Sequence, residues 1–340
     1  MDERKIKLIQ SRLDKKEVLL VLNKYNLFYL TQTNLDGYFL TIAKDNLKVF
    51  GARMLFSQLK EIFKDLEVVV DDSIEKQIPK IIENRKILLI DDEEISVKKY
   101  NILKKYFKVR FSSLIKDLRI VKDESEISKI KKAAKVVKKV LKETKNFMKE
   151  GVTEIDVKNF ILKKFLEYNA EPSFEPIVAF DENTSYPHHI STSKKFRRNS
   201  LVLIDLGCKY KGYCCDVTRM YNFDKNRRIK DLYLKLKNLQ EFLISLCKPG
   251  VKVKMIDKYA RDYFKKLGLE EKYLHSTGHG LGVEIHEPPR VSIKDNTTLQ
   301  DGMVITIEPG IYFDKDFGLR IEDDVVCGSN PTVITEDISK

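Results

Sequence analysis

Short apolar runs at 18–22, 38–42, 47–50, 68–70 and 87–90 have the composition of β-strands. Between them, 54–63 and 95–107 repeat their apolar positions at helical spacing. This alternation predicts an α/β domain. The acids Asp91, Asp92, Glu93 and Glu94 follow one run and precede a helical segment, so they read as a helix start with carboxylates at the positive end of the dipole. From Asp123 the pattern changes. Asp123 and Glu126 resemble a capping box, and Ile127, Ile130, Ala134, Val137, Leu141 and Phe147 share one face of a long helix that stops at Gly151. The boundary between domains is placed near 118–122, which makes 1–120 one domain and 121–340 another.

The second domain contains a faint repeat. Residues 149–156 lead into a helical segment at 157–168, and 248–257 lead into another at 258–267. Each is preceded by a long amphipathic helix, the second spanning 229–247. Two such halves predict a pseudo-symmetric α+β domain with a cleft between them. The stretch 201–219 reads as two apolar strands joined by a turn holding Gly207 and Gly212, with Asp205 in the first strand and Asp216 in the second. Leu201, Leu203 and Asp205 share one face; Val202, Ile204 and Leu206 share the other. A strand apolar on both faces is buried. A buried carboxylate without a partner costs several kcal/mol, and two neighbouring ones repel, so a cation between them is the cheapest explanation.

Composition narrows the function. Of 340 residues, 42% are hydrophobic, which suits a folded protein with a large core. The formal charge of +12 comes mostly from lysines spread over helical faces, such as Lys131, Lys135 and Lys138. Arginine is not clustered and no basic tail is present, which speaks against nucleic acid as a partner. Five cysteines, with Cys214 beside Cys215 and no CxxC pair, suit neither a disulfide framework nor a structural zinc site. A reducing cytoplasm is expected. The sequence shows no signal region and no run long enough to span a membrane.

Further carboxylates and histidines lie downstream. Glu308 ends an apolar strand stopped by Pro309 and Gly310, and Glu322 sits in the next strand pattern beside Arg320. His279 stands between Gly278 and Gly280, which free the backbone to approach closely. Singly, each has an ordinary structural explanation, such as a turn cap, a loop histidine or an ion pair. Together, Asp205, Asp216, His279, Glu308 and Glu322 form an oxygen-rich set suited to two divalent ions such as Mn, Co, Fe or Zn. Such ions about 3.5–4 Å apart polarise a carbonyl in hydrolytic sites. Cys214 and Cys215 read as strand packing, and His189 is given no role.

Asp205 and Asp216 with their ten-residue spacing, the trailing Val-Thr-Arg219, the Gly-His279-Gly segment, Glu308-Pro-Gly and Arg320-Ile-Glu322 resemble the metallopeptidases of the pita-bread fold. The chain is most similar to the prolidase and aminopeptidase P branch, strongly over about 120–335; the first domain resembles that branch's creatinase-like domain in outline, through Tyr29-Leu-Thr31. The resemblance implies an Xaa-Pro dipeptidase that hydrolyses the bond before proline with a metal-bridging hydroxide. The alternatives are an Xaa-Pro aminopeptidase acting on longer peptides and a non-catalytic member of the fold. It further implies that Asp205 and Asp216 bind one ion and His279 and Glu308 the other, with Asp216 and Glu322 bridging. Glu308 doubles as general base, His188 and His286 contact the reacting group, and Arg290 and Arg320 bind substrate or buttress the site. The expected partners are small peptides with proline second, and the expected assembly is a homodimer. Two departures stand out: Phe50-Gly-Ala-Arg53 replaces a motif common in the branch's first domain, and Asp181 stands where glycine is common.

Overall fold

The structure, a computed structural model, describes residues 1–71, 73–82, 85–91, 95–336 and 338. The chain divides into two units, Met1–Arg119 and Ile120–Lys340. In the first, strands β1 (Glu17–Val21), β2 (Tyr38–Ala43), β3 (Leu47–Gly51), β4 (Glu67–Val70), β5 (Ile87–Ile90) and β6 (Lys108–Phe111) form one sheet in the order β4-β3-β2-β1-β5-β6. β1 and β5 run parallel, as do β5 and β6, whereas β2 is antiparallel to both neighbours. Helices α1 (Glu3–Arg12), α2 (Lys24–Thr31), α3 (Phe56–Ile62), α4 (Ile74–Ile82), α5 (Val97–Lys104) and α6 (Leu114–Ile120) connect and flank the strands in sequence. The core joins Val18, Leu20, Phe50, Leu88 and Ile90 of the sheet to Leu103 and Phe107. This is the expected α/β architecture.

The acidic cluster corrects one expectation. Asp91 does not open the next helix: it is buried and accepts hydrogen bonds from Leu22 N at 2.8 Å and Asn26 Nδ2 at 2.8 Å. Ser96 caps α5 instead. Asp92, Glu93 and Glu94 lie outside the described residues.

The second unit begins with α7 (Glu124–Phe147), whose capping box is formed by Asp123 and Glu126 as their spacing requires. α8 (Glu154–Glu167) follows, then β7 (Glu171–Pro172), β8 (Ile177–Phe180), β9 (Val202–Leu206), β10 (Cys208–Tyr210), β11 (Tyr213–Cys214) and β12 (Val217–Tyr221). α9 (Arg227–Ser245) and α10 (Val253–Lys266) precede β13 (Gly278–Gly280), β14 (Glu287–Val291), β15 (Val304–Ile307), β16 (Gly310–Phe313), β17 (Phe317–Arg320), β18 (Asp323–Val326) and β19 (Thr332–Val333). Sheets β12-β9-β8 and β14-β13-β15-β18-β19 carry the two halves. One core packs Val137, Val140, Val157, Ile161 and Phe165 of α7 and α8; the other packs Leu236, Leu243, Ile256 and Phe264 of α9 and α10. A long helix followed by a 14-residue helix thus covers each core, which is the pseudo-symmetric α+β arrangement.

Strand β9 separates these cores. Leu201 and Leu203 enter the core of α9 and α10, and Val202, Ile204 and Leu206 enter that of α7 and α8. The hairpin differs from expectation in one respect. β9 pairs with β12, Asp205 opposite Thr218, but Asp216 falls between β11 and β12 rather than within a strand. The reason is Gly207, where an added Cβ would lie 2.1 Å from Cys215 O. That close crossing sends the chain into a separate β10–β11 hairpin before it returns at Asp216.

Candidate metal centre

β9 delivers Asp205 to the end of the strand, where it is almost fully buried. Arg320, the last residue of β17, donates Nη2 to Asp205 Oδ2 at 2.6 Å, Nε to Thr218 Oγ1 at 3.0 Å and Nη1 to Tyr312 Oη at 2.8 Å. Nη1 also reaches Pro187 O at 3.2 Å. Arg320 is itself buried, with these partners on protein groups, and it lines the same cavity as Asp205. Thr218 Oγ1 passes the chain on, donating to Glu322 Oε2 at 2.7 Å.

Glu322, expected in a strand, falls instead in the two-residue link between β17 and β18, and that link is clamped from behind. Arg219 is fully buried and donates to Glu322 O at 2.6 Å, Thr218 O at 3.0 Å and Asp323 Oδ1 at 2.7 Å. Asp324 Oδ2 accepts the backbone N–H of Asp216 at 3.0 Å, which fixes that residue without a strand around it. Across the cleft, His279 donates Nδ1–H to Gly280 O at 3.1 Å. That bond leaves Nε2 as the lone-pair nitrogen. Nε2 lies 3.7 Å from Asp216 Oδ2 and 3.6 Å from Glu308 Oε1.

One ligand atom each from Asp216, His279 and Glu322 lies within 4.8 Å of the others. Asp205 Oδ1 and Asp216 Oδ1 are buried and have no hydrogen-bond partner. Buried oxygens of that kind carry a large desolvation cost unless something satisfies them. Burial first, and then neighbouring carboxylates, push Asp216 and Glu322 well above the ordinary carboxylate range. Burial likewise raises Glu308 to about 8, although Arg320 opposes it. His279 is driven down to about 3, by burial and then by His286, so its ring is neutral at neutral pH. Orphaned oxygens, mutually repelling carboxylates and a neutral imidazole with a free lone pair fit a divalent cation.

Asp205, Asp216, His279, Glu308 and Glu322, together with His188, His286, Arg290 and Arg320, line one cavity of about 800 Å³. His286 packs its ring edge to face on His279, centroids 4.3 Å apart. His188 is exposed and lines the cavity. Arg290, on β14, is exposed and its Nε approaches Ser276 Oγ at 3.4 Å. Cys214 and Cys215 are buried, with thiols that burial holds protonated, and they pack as expected. Sequence reasoning missed His275. Its Nδ1 donates to Ser276 O at 2.8 Å, its Nε2 accepts from Tyr312 Oη at 3.0 Å, and its ring stands 3.9 Å from Glu308 Oε2. Burial, followed by Arg320, lowers it to about 4, so it too is neutral. The signal available was its position four residues before His279.

Comparison with known proteins places the chain in context. The description "Metallopeptidase family M24" matches residues 128–329, and "Creatinase/Prolidase N-terminal domain" matches 5–121. An Xaa-Pro dipeptidase from Pyrococcus furiosus is 34% identical over 314 residues, covering 90% of this chain and 89% of the relative. The structure of an Xaa-Pro dipeptidase from Bacillus anthracis superposes with a TM-score of 0.90 at 28% identity, covering 99% of this chain and 98% of the other. An X-Pro aminopeptidase from Thermotoga maritima superposes with a TM-score of 0.85 at 26% identity, covering 96% and 97%.

Proposed function

The chain belongs to metallopeptidase family M24, and from that premise we propose that it is an Xaa-Pro dipeptidase that hydrolyses the bond before a C-terminal proline. The observation that carries this reading is the convergence of Asp216, His279 and Glu322 at the base of a cavity that also presents His188, His286 and Arg290. Asp205, Asp216, His279, Glu308 and Glu322 would hold two divalent ions, of a kind drawn from Mn, Co, Fe and Zn. When bound, such ions supply Lewis acidity to the scissile carbonyl and to water. Glu308 takes the proton given up by the attacking water and returns it to the departing imino nitrogen. His188 and His286 donate hydrogen bonds to the oxygen on which negative charge develops. Arg290, exposed in the cavity, pairs with the proline carboxylate. Arg320 aims Asp205 and opposes the burial that raises its affinity for protons.

A second reading, cleavage of longer Xaa-Pro peptides, is favoured by the likeness to the X-Pro aminopeptidase. Turnover of Ala-Pro against Ala-Pro-Ala-Ala, with several metals added in turn, separates the two. Cleavage of neither would remove the peptidase reading and leave a non-catalytic binder, against which the presence of all five candidate ligands argues. Residence in the cytoplasm is supported by the five buried free cysteines, and among the described residues no helix is long and apolar enough to cross a membrane. Assembly as a homodimer follows the resemblance and is tested by light scattering.

A further inference from the structure

Adjacent histidines in the 186–189 turn face different partners, and a buried carboxylate explains the division. Glu154 is the first residue of α8 and is fully buried. Its Oε1 accepts from Phe180 N at 2.8 Å and Asn183 Nδ2 at 2.9 Å. Its Oε2 accepts from Thr192 N at 2.8 Å, Thr192 Oγ1 at 2.7 Å and His189 Nε2 at 2.8 Å. All these donors belong to one segment, 180–192. The backbone repeats the tie, for Ile155 N donates to Thr192 O and Glu154 N to Lys194 O. An ionised carboxylate only accepts, so His189 must carry its proton on Nε2.

Within that segment His189 N donates to Tyr186 O at 3.2 Å, closing a turn with Pro187 and His188 at its centre. Pro187 O receives Arg320 Nη1 on one side of His188, and His189 is held by Glu154 on the other. His188 is left to line the cavity with Asp205. We propose that Glu154 is a positioning residue for the reaction: through His189 it fixes the turn from which His188 enters the cavity. This rests on the reading of His188 as a substrate contact. The carboxylate is a better anchor than a neutral group, because a glutamine presents an amide N–H₂ where His189 or Thr192 donates, which unpairs a buried donor.

The test is a double-mutant cycle on the full chain loaded with Mn²⁺, using Glu154→Gln, His188→Ala and the pair. Glu154→Gln should lower kcat on Ala-Pro by about tenfold to a hundredfold, the order expected of a small displacement at a reacting centre, with KM and bound metal little changed. In the His188→Ala background the same change should cost almost nothing. An equal loss in both backgrounds would overturn the proposal. A turnover-independent readout accompanies it, on the metal-free or Zn²⁺-loaded chain, which is diamagnetic: the His188 ring signal in ¹H–¹⁵N spectra, assigned by its disappearance in His188→Ala. It should shift or broaden in Glu154→Gln, and an unchanged signal would overturn the proposal even where no Xaa-Pro peptide is cleaved. Should Glu154→Gln fail to fold, His189→Gln carries the same cycle and the same spectrum.

Discussion

Arg320 Nη2 lies 2.6 Å from Asp205 Oδ2, and the other oxygen of that carboxylate, Oδ1, is buried without a hydrogen-bond partner. One half of Asp205 is thus held by a guanidinium and the other half is presented for a cation. Arg320→Met should destabilise the metal-free chain by about 3–5 kcal/mol, because it leaves a buried charge without its partner. Saturating Mn²⁺ should recover much of that loss. Urea unfolding with chelator and with metal measures both, and an equal loss in the two conditions would contradict the divided role of Asp205.

Glu308, raised to about 8, and Asp324, raised to about 7, give the metal-free chain a pH dependence of definite sign. Between an ordinary carboxylate value and these raised ones the folded state binds more protons than the unfolded state. Their contribution to stability is therefore fully present at low pH and lost as pH rises through about 7 to 8. The chelated chain should melt at a lower temperature at pH 8.5 than at pH 5.5. Added metal should stabilise more at the higher pH and release protons, seen calorimetrically as a dependence on buffer ionisation heat.

A Cβ at Gly278 would lie 2.0 Å from the carbonyl oxygen of Thr306, in the neighbouring strand β15. Backbone on both sides leaves neither partner free to yield. Gly278→Ala should cost about 1–3 kcal/mol through overpacking and should displace His279, the next residue. A lowered melting temperature together with reduced metal content after dialysis is the expected pair of results.

Lys122 Nζ sits 2.8 Å from Glu287 Oε1, with both side chains almost wholly buried. Glu287 follows His286 directly and crowds Gly282, where a Cβ would lie 2.5 Å from the same oxygen. Lys122→Met should destabilise by about 3–5 kcal/mol, whereas the double change Lys122→Met with Glu287→Leu should be milder than the sum. Denaturant unfolding of the four proteins in the cycle provides the coupling, and strict additivity would show that the pair contributes no net interaction.

Much of the site could be read from the chain because its chemistry clashes with its surroundings. Asp205 inside Leu203, Ile204 and Leu206 announces a buried charge, and glycines around His279 announce a close approach. What stayed hidden depends on partners far away in sequence. Asp91 looked like a helix start because its acceptors' users, Leu22 and Asn26, stand 69 and 65 residues away. Asp216 looked like a strand residue because nothing local tells that Gly207 lets the chain cross Cys215. His275 escaped notice because the burial that keeps it neutral and its partner Tyr312, 37 residues on, are not local, and Glu154 because its donors, 26 to 38 residues on, follow no regular spacing. The 8-residue α2 has an aromatic-rich sequence with little helical alternation, and only the Asn23 cap marks it.

Strand β9, shared as a wall between two cores, restricts how this site can change over descent. Replacing Asp205 or Leu203 alters one position and leaves the frame intact. Adding or removing a single residue between 202 and 206 would exchange the faces of every side chain beyond it, drive each into the opposite core and turn the carboxylate away from its cavity. Lengthening belongs instead to turns such as 314–316, between β16 and β17, where exposed residues carry no such double obligation. The ligand set can therefore be rewritten letter by letter, while the spacing within this strand is closed to editing.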